Sequence, residues 1–394
     1  MANDDKQSGD VGLAGDARPS PEPETLVAFY RDRAQTFTDE RRAHERTSAR
    51  LSNLRVAAFL LGVVAVVIGW RLAWYPAAAY GVAALSAVGF VALVVGHRRV
   101  QGSIRRARLL TAQNEQGAAR IVRDWRHLPR VALPHGIPRT AMAVDLDLFG
   151  EASLYQLICQ AQTTLGRRRL AEWLTTPTPA EEIPSRQQAV DELAPRVDWR
   201  QELAFLGTPE SGEFPSIDGF LAWAEGPPWL AERAWLKWVS RLLPLAFWAL
   251  GVLWWTDLWP QKLWLVVFLA NTALSLLVSP KVHKIFARVS SRRGDIQRYA
   301  KLLEYIASER FSSPRMAALH EQLETEGHRA DEQIGRLRRL MDLADLRYNQ
   351  IYLPIQAATL WDFHVLAAVE RWQHDVDRHV REWFEALAEI EAIA

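Results

Sequence analysis

The sequence predicts a mainly α-helical protein in which two transmembrane helical hairpins are inserted into a helical body. Three observations lead to this fold class. Two pairs of long apolar runs have Arg- and Lys-rich flanks, many of the 17 tryptophans gather near the ends of one pair, and apolar residues recur at helical spacing through the last third of the chain.

Composition and charge narrow the range of functions. The 394 residues contain 47 Lys and Arg against 46 Asp and Glu, so the net charge is +1. This balance excludes the strongly basic surface of an autonomous nucleic-acid-binding protein, and any DNA contact would be local. The single cysteine, Cys159, excludes an intramolecular disulfide and a cysteine-rich zinc module.

The chain before the first apolar run divides into two segments. Residues 1–23 are polar and rich in Gly, Pro, Asp and Ser, so we expect a disordered tail. Residues 24–55 predict an amphipathic helix with a basic end, because apolar residues recur at helical spacing and arginines then follow. No export signal is evident, since the first apolar run begins only near Val56.

The first transmembrane hairpin is predicted over residues 56–96. Val56–Trp74 carries one arginine, Pro76–Val95 carries no charge, and Tyr75–Pro76 supplies a tight turn. Each run is long enough to cross a hydrocarbon core of about 30 Å. Both outer flanks are rich in arginine, and the positive-inside rule therefore places both ends of the hairpin in the cytoplasm.

The second transmembrane hairpin is predicted over residues 235–280. Its runs, Leu242–Trp255 and Leu263–Val278, are 14 and 16 residues long, a length that buried core helices also have. Tryptophans near their ends favour the membrane interpretation: Trp235, Trp238, Trp254, Trp255, Trp259 and Trp264. No acidic residue lies mid-span in either hairpin, which favours an anchor over a transporter. We therefore expect a multi-pass protein of the inner (cytoplasmic) membrane with both termini cytoplasmic.

The other segments predict the helical body. Residues 97–139 predict a polar helix and a linker, and residues 140–234 predict the start of a globular unit. Within that unit, Met142–Leu148 alternates apolar and acidic residues, which predicts a short strand. Residues 281–394 predict long helices packed along a seam, with a bend or reversal at Pro354. The predicted seam residues are Ile334, Leu337, Met341, Ala344, Tyr348, Val369, Trp372, Val376, Val380, Trp383, Leu387 and Ile390.

The sequence lacks the common motifs of nucleotide and hydrolase sites. No G-x-x-x-x-G-K-[ST], G-x-G-x-x-G, H-E-x-x-H or G-x-S-x-G occurs, so no catalytic, cofactor-binding or metal residue is predicted. The run His374–His379 (HDVDRH) contains metal-ligand types, but its histidines are five apart and a helix surface explains it better. Asp145 and Asp147 are too few ligands for a cation site. Arg167–Arg169 could contact phosphates, although three successive helix positions point in different directions.

One segment carries a family resemblance. The run TTLGRRRLAEWL at Thr163–Leu174, with the following proline and E-I-x-x-R-x-x-A-V-x-x-L pattern, resembles the core domain of the MutS family of DNA mismatch-repair ATPases. The residues that carry the resemblance, interpreted as structural, are Thr163, Gly166, Arg168, Leu170, Trp173, Leu174, Pro177, Ile183, Arg186, Ala189, Val190 and Leu193. The long C-terminal helices resemble the core and lever helices of that family, so the resemblance covers roughly residues 140–394.

The resemblance implies a function. It implies the core and lever part of a membrane-anchored, MutS-like protein, a homodimer that couples nucleotide state to DNA binding. The family's ATPase domain, and with it ATP and Mg, is absent from this chain: either the polypeptide is a truncated product or fragment, or the ATPase is supplied elsewhere. The mismatch-reading domain is also missing, so Phe149-Gly150-Glu151, which looks like the family's Phe-x-Glu, belongs to the core. The alternative is a non-catalytic membrane scaffold or interaction protein that retains MutS-like helices.

Overall fold

The protein is described by a computed structural model over seven stretches of chain: residues 22–71, 76–209, 216–259, 261–289, 295–325, 327–376 and 379–394. Some sequence predictions lie outside the described residues, namely the tail up to residue 21, the turn position Tyr75, and Asp377 of the HDVDRH run. Within the described stretches the protein is mainly α-helical, as predicted. The strands found there, β1 (Glu324–Thr325) and β2 (His328–Arg329), form a short antiparallel hairpin.

The chain divides into two compact units, residues 1–129 and 130–394. We call residues 22–129 the stalk hairpin and residues 130–394 the helical body. The stalk hairpin consists of α1 (Pro23–Arg71), α2 (Pro76–Ile121) and a 3-10 turn at Trp125–His127.

Each stalk helix continues from a polar segment into an apolar one without a break. The boundaries predicted at residues 55 and 96 therefore lie inside continuous helices. The helices have 49 and 46 residues. At 1.5 Å per residue each is about 70 Å long, more than twice the thickness of a hydrocarbon core.

Small residues let α1 and α2 pack closely in their apolar halves. A Cβ atom on Gly69 would lie 2.9 Å from the Cβ of Ala79, and one on Gly62 would lie 3.4 Å from the Cβ of Ser86. Lipid gives two helices little hydrophobic reason to associate, so close approach through small residues is the usual means of packing in a membrane. The outward side chains of the same segment, such as Leu60 and Val64, are exposed.

Polar contacts join the other halves of the two helices. The amide Nε2 of Gln101 donates to Ser48 Oγ at 2.9 Å, and Arg33 Nε donates to Asn114 Oδ1 at 3.2 Å. These pairs join residues early in α1 to residues late in α2, whereas the small-residue contacts join the end of α1 to the start of α2. The two helices are therefore antiparallel.

The helical body contains fourteen helices in its described residues, with 3-10 turns at Ala180–Glu182 and Asp345–Tyr348. They are α3 (Ala141–Asp145), α4 (Leu154–Ile158), α5 (Thr164–Thr175), α6 (Ile183–Leu193), α7 (Val197–Gly207), α8 (Asp218–Ala224), α9 (Ala234–Trp255), α10 (Leu263–Val289), α11 (Asp295–Ala307), α12 (Pro314–Gln322), α13 (Ala330–Ala344), α14 (Tyr352–Thr359), α15 (Trp361–Val376) and α16 (His379–Ile393).

Four described helices, α1, α2, α9 and α10, are long and apolar enough to cross a membrane. The second hairpin is longer than its apolar runs alone, because α9 and α10 extend to 22 and 27 residues. Large apolar side chains along both helices, including Trp248, Val266, Leu269 and Leu277, are exposed. Exposed apolar surface of this extent fits lipid and not water.

The predicted seam forms the core of the body. Helix α13 packs on α11 and α15, and α16 packs on α5 and α12. All the predicted seam residues are buried except Tyr348, which is half exposed beyond the C-terminal end of α13. The cluster includes Trp372 and Trp383, both fully buried.

The strand predicted at Met142–Leu148 is wrong. Thr140 Oγ1 accepts the Ala143 N–H at 3.2 Å and caps α3, and the Leu146 N–H then bonds to the Met142 carbonyl. Alternating apolar and acidic residues do not make a strand without a neighbouring strand to satisfy their backbone groups. Local capping therefore prevails over the alternation.

The bend or chain reversal predicted at Pro354 lies a few residues later. Pro354 lies in the first turn of α14, where a helix tolerates proline because the amides there have no partner within the helix. The chain instead turns at Leu360, whose φ of 51° is left-handed.

Candidate functional site

The resemblance-bearing segment packs against the last helix of the chain. Glu391 of α16 is buried, and its carboxylate accepts a short hydrogen bond from the Thr163 hydroxyl and one from the Gln162 N–H at 3.3 Å. Thr163 in turn caps α5, because its Oγ1 accepts the Gly166 N–H at 3.1 Å. Residues 228 positions apart are thereby joined through one buried carboxylate.

Two glycines make room for this carboxylate. A Cβ atom on Gly166 would lie 2.7 Å from Glu391 Cβ and 3.0 Å from Ala161 Cβ. A Cβ atom on Gly207, at the end of α7, would lie 3.2 Å from Glu391 Oε1. Glu391, Thr163, Gly166 and Gly207 together form what we call the α5–α16 latch.

Burial raises the pKa of Glu391, because removal from water disfavours the charged carboxylate; its hydrogen bonds with Thr163 and Gln162 and the nearby Arg167 oppose this effect. Arg167 also donates from Nε to the Ala161 carbonyl at 3.0 Å. The Arg167 side chain is partly buried against the latch.

The raised pKa predicts a pH-dependent difference between the wild type and Glu391→Gln. The folded state holds the Glu391 proton more tightly than the unfolded state, so the stability this proton provides is present below the unfolded pKa of about 4.3 and is lost as the pH rises through the raised folded value. Glutamine keeps the shape and can still accept from Gln162. The free energy of unfolding of the wild type relative to Glu391→Gln should therefore fall as pH increases.

Pulse proteolysis of the full chain in nanodiscs along urea gradients, at several pH values between 4.5 and 8, measures this difference. Glu385→Gln, on the exposed face of the same helix, controls for the change in net charge. A constant difference between the wild type and Glu391→Gln across the pH range would contradict the assignment.

The other apolar resemblance-bearing residues range from buried to exposed. Leu170, Ala189 and Leu193 are buried, whereas Trp173 and Leu174 are only partly buried at the margin of the core. The exposed members are Pro177, Ile183 and Val190.

The polar members of the segment are held by specific partners. The Arg186 guanidinium lies over the Trp173 ring at 4.4 Å and donates to Thr178 Oγ1 and Glu182 Oε2, both at 2.8 Å. Arg168 forms a bidentate salt bridge with Asp218, in which both N···O distances are 3.2 Å. Arg168 therefore fixes α5 against α8, and its guanidinium is already occupied by a carboxylate.

Another buried carboxylate of the body, that of Glu370, is not predicted by the sequence analysis. Glu370 of α15 accepts the N–H groups of Leu230 and Ala231, at 2.6 and 2.8 Å, just before α9 begins. Burial raises the pKa of Glu370, and these amides oppose the rise. The nearby Gln373 donates to the carbonyls of Trp223 and Gly226. Helix α15 thus holds the segment that leads into the second hairpin.

The remaining candidate groups do not assemble into a site. Asp375 of the HDVDRH run pairs with Arg336 at 3.4 Å, and His379 is buried beside Trp383 instead of lying on a solvated surface as expected. Asp145 and Asp147 are exposed. Phe149 packs edge-on against Tyr155 in the core. In the stretches that the structure describes, no group of three or more His, Cys, Asp or Glu residues could hold a metal ion.

No protein family, characterised protein or solved structure matches this chain. The assignment of function therefore depends on the geometry of the chain itself. In that geometry the buried Glu391 joins α16 to α5, and the buried Glu370 joins α15 to the segment before α9.

Proposed function

We propose that the chain is the membrane-anchored core and lever part of a MutS-like protein, in which movement of the C-terminal helices is coupled to DNA binding. The observation that carries the proposal is the α5–α16 latch. Thr163 and Gly166, two of the residues that resemble the MutS core, are the ones that hold Glu391 of α16.

The contacts of α15 and α16 support this proposal, because they connect these helices to other parts of the body. Arg381 of α16 bonds to Glu225 at 2.8 Å, and Glu370 of α15 holds the amides of Leu230 and Ala231. Helix α9 begins at Ala234, a few residues later. A shift of α15 and α16 would therefore move both α5 and the base of the second hairpin.

The proposal includes an orientation, localisation and partners. The arginines that flank the first hairpin and the lysines that follow the second favour the inner membrane with both termini in the cytoplasm. The protein would act as a homodimer, and ATP and Mg would be bound by an ATPase domain that is not among residues 1–394. Lipid and DNA are the further partners.

The second candidate function is a membrane scaffold without DNA binding, and the pairing of arginines favours it. Phosphate contacts require cations that are available to DNA. Many arginines of the helical body instead contact acids: Arg168 with Asp218, Arg186 with Glu182, Arg196 with Glu192, Arg315 with Glu389, Arg336 with Asp375, and Arg381 with Glu225.

DNA binding by the full chain in zwitterionic nanodiscs distinguishes the two functions. A DNA-binding body predicts that the logarithm of the association constant falls linearly with the logarithm of salt concentration, with a slope of about −0.9 per phosphate contact. The double variant Arg98→Gln/Arg99→Gln removes two exposed stalk cations and serves as the matched control, because stalk arginines could bind DNA nonspecifically.

Salt-dependent binding that survives in the control supports the MutS-like function. Binding that is absent at low salt, or that disappears with the two stalk arginines, contradicts it and favours the scaffold.

A further inference from the structure

A short helix of the body is hydrogen-bonded to the middle of a membrane-spanning helix. Gln356 of α14 donates from Nε2 to Ser275 Oγ of α10 at 3.0 Å, and Asn271 of α10 donates from Nδ2 to the Ala357 carbonyl at 3.2 Å. Asn271 and Gln356 are both buried. Asn271 and Ser275 are polar side chains that would have no partner on a helix surrounded by lipid. Here both of them bind α14.

The positions of these contacts give the depth of α14. The apolar part of α10 ends near Ser279, and Lys281 and Lys284 follow. Ser275 and Asn271 precede Ser279 by four and eight residues. At 1.5 Å per residue they lie roughly 6 and 12 Å deeper along the helix, within a hydrocarbon core of about 30 Å.

The exposed residues at the start of α14 and at Ile351, which directly precedes it, are apolar. Leu353 is 72% exposed and Ile351 is 54% exposed, and Pro354 beside them is exposed as well. No charged residue occurs between Arg347 and Asp362. An uncharged segment of this length is too short to span a bilayer and is typical of a buried core helix or a re-entrant segment. The exposed side chains exclude the core helix.

The irregular backbone at the C-terminal end of α14 has hydrogen-bond partners within the protein, as a position inside a membrane requires. The left-handed turn at Leu360 is closed by its N–H bonding to the Gln356 carbonyl at 2.8 Å, and Asp362 N–H bonds to Gln356 Oε1 at 2.9 Å. The Ala357 carbonyl is taken by Asn271. Irregular backbone at membrane depth is tolerated only where protein groups supply such partners.

The geometry points to a third membrane element: residues 349–360 enter the bilayer beside α10 as a re-entrant segment, and acyl chains cover Ile351, Leu353 and Pro354. The lipid-facing surface of the second hairpin then continues onto α14. This inference rests on the second hairpin crossing the membrane and is independent of DNA binding.

Site-directed spin labelling of the full chain in lipid vesicles tests the inference. Cys159 is the only cysteine, so a Cys159→Ser background allows single labels at Leu353→Cys and, as a second probe, Ile351→Cys. Leu269→Cys on α10 is the membrane reference, and Val190→Cys, an exposed apolar position on α6, is the water reference. Collisions with oxygen report lipid, and collisions with a water-soluble nickel chelate report solvent.

We expect the oxygen-to-nickel accessibility ratio at Leu353 and Ile351 to match that at Leu269 and to exceed that at Val190 several-fold. Ratios at both α14 positions equal to that at Val190 would overturn the inference. A low ratio at Leu269 would also overturn it, because α10 would then not lie in the bilayer.

Discussion

Replacing Trp372 with alanine is expected to lower the free energy of unfolding of the helical body by about 3 to 5 kcal/mol, the usual loss for a fully buried tryptophan. The Trp372 ring is completely buried and stacks on Trp223, with the two planes 5° apart and the centroids 6.2 Å apart. Its Nε1 donates to the Gln333 carbonyl at 2.8 Å. Alanine would leave a cavity and would remove this hydrogen bond.

Trp173→Ala is the matched control for this prediction. Trp173 is one of the resemblance-bearing residues interpreted as structural, but its ring is only partly buried and is covered by the Arg186 guanidinium. The same chemical change should therefore lower the free energy of unfolding by less, about 1 to 3 kcal/mol. Pulse proteolysis of the full chain in nanodiscs along a urea gradient compares them. Equal losses would mean that Trp372 is not the buried centre of the seam.

Gly166→Ala is expected to destabilise the body by about 1 to 3 kcal/mol through overpacking. The new methyl group would lie 2.7 Å from Glu391 Cβ, which is far closer than two carbon atoms pack, and Ala161 closes the other side. Either α16 moves away from α5, which breaks the contacts of Glu391, or the helix end distorts.

Gly335→Ala provides a control of opposite sign. Gly335 lies within α13, and a Cβ atom there would meet nothing within 4 Å. Alanine in a helix interior is favoured over glycine by roughly 0.5 to 1 kcal/mol, so this variant should be more stable than the wild type. Urea midpoints from the same proteolysis assay decide the sign of each change. A stabilising effect of Gly166→Ala would refute the close packing of α5 on α16.

The helical class and the membrane-length helices could be predicted because their signals are local. The seam residues of α13, α15 and α16 follow helical spacing, and each apolar run is visible without knowledge of its neighbours. The Met142–Leu148 strand failed for the converse reason, since a strand depends on a partner elsewhere in the chain. Thr140, the residue that caps α3, was the local signal that could have identified a helix there.

The latch could not be predicted in the same way. Thr163 and Glu391 are separated by most of the body, and nothing at either position reveals the other. The available signal was Gly166 in the first turn of a helix. Glycine is a poor helix former, so its presence there indicates that another part of the chain packs closely against it. Gln356 and Ala357 gave no comparable signal of their contacts with α10.

The stalk hairpin limits the kinds of motion that can pass along it. Piston-like sliding of α1 past α2 by one helical turn, about 5.4 Å, would break the Ser48–Gln101 and Arg33–Asn114 hydrogen bonds. It would also move Ala79 away from Gly69, where the absence of a Cβ atom permits the close contact. Because both helices continue unbroken between their polar and apolar halves, a displacement at one end should arrive at the other as tilt or rotation of the pair as a single rod.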